Sequence, residues 1–180
     1  MNIVTKDLFR KYKKAGDFAK AKQPEFEKEI RSTGFYKNKA KNIIGAAKEI
    51  EKKYKGKVPA EMEELVSLPG VARKTANIVL FHAYGKNEGV AVDTHVKRLS
   101  ERLGFSKNTD PAKIEQDLMK LFPKKEWGNI TNVLISHGRA VCQAKKPVCP
   151  DCPVKKLCPS AKKFFPGLKQ KKTRPEKEKV

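Results

Sequence analysis

The four cysteines of the chain fall at positions 142, 149, 152 and 158, a C-x6-C-x2-C-x5-C run of seventeen residues. Four thiols this close can surround one metal centre, and no thiol is left over. Two disulfides are the first alternative. Met1 to Arg10 has no apolar stretch of signal-peptide type, so an oxidising compartment is not implied and a cytoplasmic location is expected. Four independent core cysteines are the second alternative, but core cysteines have no reason to cluster. A tetrahedron of thiolates suits a structural zinc, and the same four ligands suit a [4Fe-4S] cluster. Zinc sites usually come as two short pairs. Here one short pair, Cys149 and Cys152, is flanked by single cysteines at longer range. Spacing alone leaves both metals open.

Charge sets the class of partner. The 180 residues carry 41 Lys and Arg against 20 Asp and Glu, a formal +21. That excess favours a polyanion, through phosphate contacts and release of counterions. A ribosome-associated or merely basic soluble protein is the plainer alternative. No apolar run approaches the ~20 residues of a membrane span. The charge is spread along the whole chain, which argues against an amphipathic membrane binder.

The chain reads as all-α. Ile3 to Lys14 carries a helical apolar stripe, and Pro24 opens a short helix that Gly34 ends. Tyr36 to Tyr54 is long and periodic, with Ala40, Ile43, Ile44, Ala47 and Ile50 on one face. Pro59 is placed to start the next helix, where its missing N–H costs nothing. Pro69-Gly70 breaks that helix, and Arg73 to Tyr84 follows, ended by Gly85. Asp93 has the position of an N-cap for a helix to Leu103. Asp110-Pro111 opens another that ends near Phe122-Pro123, and Trp127 to Val141 leads into the cysteine run. Val90 to Val92 is too short for a strand, and no internal repeat is present. Lys169 to Val180 is charged and free of aromatic residues, the composition of a disordered tail.

The second motif is Leu68-Pro69-Gly70-Val71-Ala72-Arg73-Lys74-Thr75-Ala76. Its physics is helix, tight turn, helix. Gly70 lets the backbone turn and approach a ligand, and the N–H groups opening the second helix suit a phosphate. Such a hairpin grips a DNA backbone without reading sequence; the plain alternative is a helical corner that binds nothing. Lys74 sits just inside the second helix, beside the positive dipole end and Arg73. These surroundings favour a free, nucleophilic amine. Standing alone, Lys74 reads as one solvated lysine among dozens. Asp93, in Val92-Asp93-Thr94-His95, reads first as a helix cap. A carboxylate beside a nucleophilic amine could also manage protons or developing positive charge. His82, His95 and His137 read as packing or hydrogen-bonding residues.

In this order the pieces resemble one family, the endonuclease III branch of the helix-hairpin-helix DNA glycosylases. The hairpin with Lys74, the Val-Asp-Thr-His segment and the 6-2-5 cysteine loop carry the likeness. Gly34-Phe35-Tyr36-Lys37-Asn38-Lys39-Ala40 is similar to the family's segment opening a barrel helix. His137-Gly138-Arg139 matches its step before the first cluster cysteine. The likeness covers roughly Gly34 to Cys158, and its combination of motifs is specific.

The resemblance implies a helical barrel domain at 1–104 with its hairpin at 60–84, a cluster-bearing helical domain at 105–160, and a basic tail at 161–180. It implies a [4Fe-4S] cluster on Cys142, Cys149, Cys152 and Cys158, with Lys74 as attacking amine and Asp93 as catalytic carboxylate. Gly70, Val71, Ala72, Arg73 and Thr75 would meet DNA at the hairpin, and Lys145 and Lys146 at the cysteine loop. The partner implied is double-stranded DNA bearing a damaged base or an abasic site, met by a monomeric enzyme near the nucleoid of a prokaryotic cell. Family substrates are oxidised pyrimidines, removed with nicking by β-elimination. Lysine at the hairpin position separates this branch from mismatch glycosylases that use water. The rivals are a monofunctional mismatch glycosylase and a non-catalytic binding module. Two departures stand out. Ala72 replaces the usual glycine, which a negative φ would allow. Family members also carry roughly forty residues ahead of the point matching Met1, against a domain prior of ~100–200 residues. These include a helix of the cluster domain and a buried barrel helix, so the fold implied lacks its N-terminal helices.

Overall fold

The computed structural model describes residues 2–167, and every secondary-structure element among them is helical. The chain divides into two compact units, 1–86 and 87–180.

The first unit contains α1 (Asn2–Lys11), α2 (Ala15–Ala19), α3 (Gln23–Glu29), α4 (Tyr36–Tyr54), α5 (Met62–Val66) and α6 (Arg73–Tyr84). The long helix α4 is its spine and packs against α2 and α3. Ala40, Ile44, Ala47 and Ile50 are buried, but Ile43 is 39% exposed. At ~100° per residue Ile43 falls inside that stripe, between Ala47 and Ile50, but it faces an open groove that Phe9, Phe18 and Val58 also line. One core gathers Tyr12, Phe26, Ile30, Ala40 and Ile44. The Tyr12 ring stacks on Phe18 at 4.8 Å and meets Phe26 edge-on at 5.4 Å. A second core, Ile50, Leu65, Leu68, Ala76 and Leu80, lies beneath the helical hairpin.

Several local expectations change in this unit. The helical stripe read over Ile3 to Lys14 stops at Lys11, because the N–H groups of Lys13 and Lys14 turn to the Asp17 carboxylate. Residues 15–19 form a helix that has no apolar period to announce it. It is started by Asp17, whose Oδ2 accepts from the N–H groups of Lys13 (2.9 Å) and Lys14 (3.2 Å). These bonds, the Lys13 one foremost, hold the Asp17 carboxyl below its ordinary pKa. The helix placed at Pro59 begins instead at Met62, with Glu61 as its N-cap. The chain before it stays extended because its carbonyls are taken by side chains from the end of α6. Tyr84 Oη donates to Val58 O, and Lys86 Nζ donates to Ala60 O at 2.8 Å while pairing with Glu61.

The second unit contains α7 (Thr94–Leu103), α8 (Pro111–Leu121), α9 (Trp127–Ala140) and α10 (Ala161–Phe164). Its core is Val90, Val92, Val96, Leu99, Ile114, Leu118 and Leu134. Val90 to Val92 runs buried but unpaired as a strand, and Thr131 Oγ1 accepts from Ala91 N–H at 3.1 Å. Asp110 caps α8 by accepting from Lys113 N–H at 3.0 Å, with Pro111 at the first helical position. Since α7 packs on α8 and α9, the compact unit begins at 87, whereas the sequence division falls at 104/105. The sequence places 161–164 in the basic tail, but they form α10. Ala161 is buried there and Arg102 lies over the Phe164 ring at 4.4 Å. The tail from 168 to 180 lies outside the described residues.

Candidate nucleic-acid interface and metal centre

The hairpin of α5 and α6 is shaped by one backbone position. Gly70 has φ +73°, and a Cβ built there would lie 2.6 Å from Asn42 Cβ. Only glycine meets both conditions, the left-handed backbone and the close approach of α4. The turn is closed by Val71 N–H donating to Leu68 O at 3.1 Å, and α6 begins with Thr75 N–H on Ala72 O at 2.8 Å. Ala72 is the N-cap residue with φ −87° and ψ 165°. That extended conformation suits any L-residue, so the methyl in place of the family glycine leaves the turn intact. Gly70, Ala72, Arg73, Lys74 and Thr75 are all exposed, and Val71 is half-buried over the apolar core. The first N–H groups of α6 precede its first internal hydrogen bond and face outward with the positive end of the dipole. Lys74 is the second residue of α6.

A further exposed element belongs to the same unit. Phe35 is 88% exposed and holds the left-handed conformation, φ 49° and ψ 29°, immediately before α4. A bulky residue in that region of backbone space costs conformational energy. An aromatic ring displayed to water at such a cost is a feature that no periodicity reveals. Gly34 just before it also has a positive φ, +68°, so the turn into α4 takes two positive-φ residues in succession.

In the second unit Asp93 is the N-cap of α7. Its Oδ1 accepts from His95 N–H and Val96 N–H, both at 2.8 Å. The carboxylate is half-buried and fixed in orientation. The His95 side chain is held in place. Its Nδ1 lies 3.2 Å from Arg98 NH2, and its ring packs on the backbone of Gly138, where an added Cβ would come within 3.0 Å. Gly138 therefore leaves room on α9 for the His95 and Arg98 side chains of α7, the physical content of the His137-Gly138-Arg139 step.

The four cysteines are brought together. All line one small cavity, with Val141, Val148 and Phe164 supplying apolar wall. Cys149 and Cys152 are buried, and Cys142 and Cys158 are half-buried. Burial pushes the Cys149 and Cys158 thiols up from their ordinary pKa, and the neighbouring cysteine charges add to the effect. Such a set of thiolates is costly unless a cation compensates it. Among the described residues, no three of His, Cys, Asp or Glu converge closely enough to hold a single ion.

Two arginines absent from the sequence reading fasten this loop to α7. Arg98 donates to Gly138 O at 3.0 Å and to Cys142 O at 3.0 Å. Arg102 donates to Gln143 O and Ala144 O, each at 2.8 Å, and to Cys142 Sγ at 3.3 Å. Their i, i+4 spacing is the only signal they leave in a chain of 41 Lys and Arg. Lys145 and Lys146 stand exposed on the same loop. Lys74 belongs to the first unit; Asp93 and the cysteines belong to the second.

Comparison with known proteins gives a consistent picture. Residues 1–124 match the model of the HhH-GPD superfamily base excision DNA repair protein. The chain is 56% identical to Endonuclease III of Synechocystis sp. over 89% of its own length and 74% of that relative. It is 44% identical to Endonuclease III of Bacillus subtilis over 91% of its length and 74% of that relative. Among solved structures, a non-covalent Endonuclease III-DNA complex superposes with TM-score 0.85 at 45% identity, covering 90% of this chain and 76% of that one. A thermostable thymine-DNA glycosylase superposes with TM-score 0.78 at 26% identity, covering 89% and 75%.

Proposed function

Because this chain belongs to the HhH-GPD superfamily of base excision DNA repair proteins, we propose that it is a DNA glycosylase with abasic-site lyase activity on oxidised pyrimidines. The observation that carries the reading is Lys74, an exposed amine in the first turn of the helix that follows the Gly70 turn. A mismatch glycosylase that activates water has no use for an amine there.

The hairpin N–H groups and Arg73 take hold of a phosphate, a contact that positions the protein without reading bases. Lys145 and Lys146 add phosphate contacts. The damaged nucleotide leaves the stack. Phe35, already displayed, is the apolar wedge that enters the opened step; such wedges offset the few kcal/mol lost per unstacked step. The Lys74 amine attacks C1′ as the base departs with its bonding electrons. Asp93, its carboxylate held by two backbone N–H groups, stabilises the positive charge that develops on the sugar and accepts a proton. Cleavage of the C1′–O4′ bond then opens the sugar ring: the amine nitrogen forms a C=N bond to C1′ and O4′ leaves as a hydroxyl, taking up a proton, which gives the imine (Schiff base). Abstraction of a C2′ proton then expels the 3′ phosphate, which nicks the strand. Hydrolysis of the imine restores Lys74.

Cys142, Cys149, Cys152 and Cys158 hold a [4Fe-4S] cluster in this reading. Four thiols line one cavity, a donor set that suits the cluster the family resemblance implies. The cluster supplies no chemistry to the substrate and serves to hold the loop that carries Lys145 and Lys146.

The test is borohydride trapping on a duplex with one abasic site, using the wild-type chain and Lys74→Ala. The wild type is expected to form a covalent complex that Lys74→Ala does not form, while its DNA affinity stays within a few-fold. Undiminished trapping by the mutant would move the nucleophile elsewhere. No complex from metal-loaded, DNA-binding wild type would leave a binding module.

A further inference from the structure

The α7 arginines divide their work unevenly. Arg98 gives its hydrogen bonds to backbone carbonyls and to the His95 ring. Arg102, one turn later, is the one whose guanidinium also reaches a cysteine sulfur. The two short bonds to Gln143 O and Ala144 O hold both prongs of the fork, and the Phe164 ring lies against its flat face. So restrained, NH1 points at Cys142 Sγ from 3.3 Å. The other polar contacts on these sulfurs carry no guanidinium charge, and the backbone N–H groups of Ser160 and Ala161 are among them, at Cys158. Cys152 Sγ lies 3.7 Å from His137 Nε2. Cys158 Sγ donates to Arg102 O at 3.4 Å as a thiol, a bond that lapses once the sulfur is a ligand.

We propose that Arg102 is a positioning residue of the metal centre, whose charge-assisted hydrogen bond to Cys142 sets the reduction potential of the centre and retains it in the protein. The inference rests on the iron–sulfur reading above. Its physics is that of outer-layer partners in general: they orient the ligand and tune its electron donation. Four thiolates leave the occupied site net negative in a mostly apolar cavity, where a nearby cation acts strongly. A cation beside the centre favours its more reduced, more negative state. Removing that cation therefore lowers the potential. It also frees Cys142, the ligand nearest the end of α9, to leave first.

The experiment uses the full chain purified without air, as wild type, Arg102→Met, Arg102→Gln and Arg102→Lys. Iron and sulfide content, midpoint potential by film voltammetry, and bleaching of visible absorbance in air are measured on each. Arg102→Met is expected to bleach about tenfold faster, the low end for loss of an outer-layer partner. The clusters it retains should titrate at a more negative potential. Arg102→Lys keeps the charge and should recover most of the potential but not the retention, because an ammonium cannot hold both carbonyls. If Arg102→Met fails to load, Arg102→Gln, which keeps a neutral donor, carries the comparison and should also shift negative. Lower occupancy with unchanged potential in the surviving clusters would make Arg102 a brace for the loop and overturn the proposal, as would variants indistinguishable from wild type. A colourless wild type would overturn the iron–sulfur reading itself, a result separable from either.

Discussion

The hairpin and the cysteine loop are both turns with exposed residues at their tips, yet they are built by opposite means. The hairpin is shaped by its own backbone. Gly70 takes a conformation closed to other residues, and Leu65, Leu68 and Leu80 are almost fully buried beneath it. The cysteine loop buries little aliphatic surface. Leu157 is 72% exposed and Val148 39%. What fastens it are arginines from α7 reaching carbonyls of the loop, with four thiols lining one cavity for the proposed cluster. A turn over a core can be rigid with nothing bound. A turn held by charge and ligands is only as rigid as its occupant.

The sharpest way to break that contrast is to remove the metal. Chelation after mild oxidation is expected to abolish hydrogen-exchange protection at Cys142, Val148 and Cys152, while Val71 and Thr75 keep theirs. Equal loss in both regions would mean that the two turns share one source of order. Next in size is Leu80→Ala. It should cost about 2–5 kcal/mol in urea unfolding of the first unit, with the visible spectrum of the centre unchanged. Gly70→Ala combines a left-handed φ with a clash against Asn42. It is expected to cost about 1–3 kcal/mol and to weaken DNA binding well beyond what the stability loss explains, measured by titration at fixed salt. Smallest of all is Ala72→Gly. Glycine is the better N-cap but is freer in the unfolded chain, so the net change should stay within about 0.5 kcal/mol. A large effect there would show that the alanine methyl makes a contact the turn depends on.

How much of this was legible in the chain differs by kind of force. Helices with a sustained apolar period or a proper cap were placed to within a residue: α4, α6, α7 capped by Asp93, α8 behind Asp110-Pro111, and α9. Period and capping are local, so sequence displays them. The miss at Pro59 came from bonds made by Tyr84 and Lys86, about 26 residues away, which no local pattern announces. Helix α2 escaped because five residues hold too little period to see. In the site, the cysteines and the Gly70 turn were visible because few residue types can do their work. Arg98 and Arg102 were not, because any of 41 cations might have been the one that meets a carbonyl or a sulfur. The sequence shows Phe35 only as a residue preceding α4; its display to solvent is a backbone event at Gly34 and Phe35 and not a property of the residue type.

The cap at Asp93 has one more implication. Both N–H bonds fall on Oδ1, so one oxygen of the carboxylate is committed to the helix and Oδ2 lies outside the cap. A single side chain thus serves architecture with one atom and keeps the other in reserve. Replacement by asparagine preserves the architectural half, since the amide oxygen can accept the same two bonds, and deletes the charge. Replacement by alanine deletes both. The pair of variants forms a natural dissection: if Asp93→Asn melts like the wild type yet no longer releases bases, the helix start and the chemistry are two inheritances of one residue, free to be lost separately.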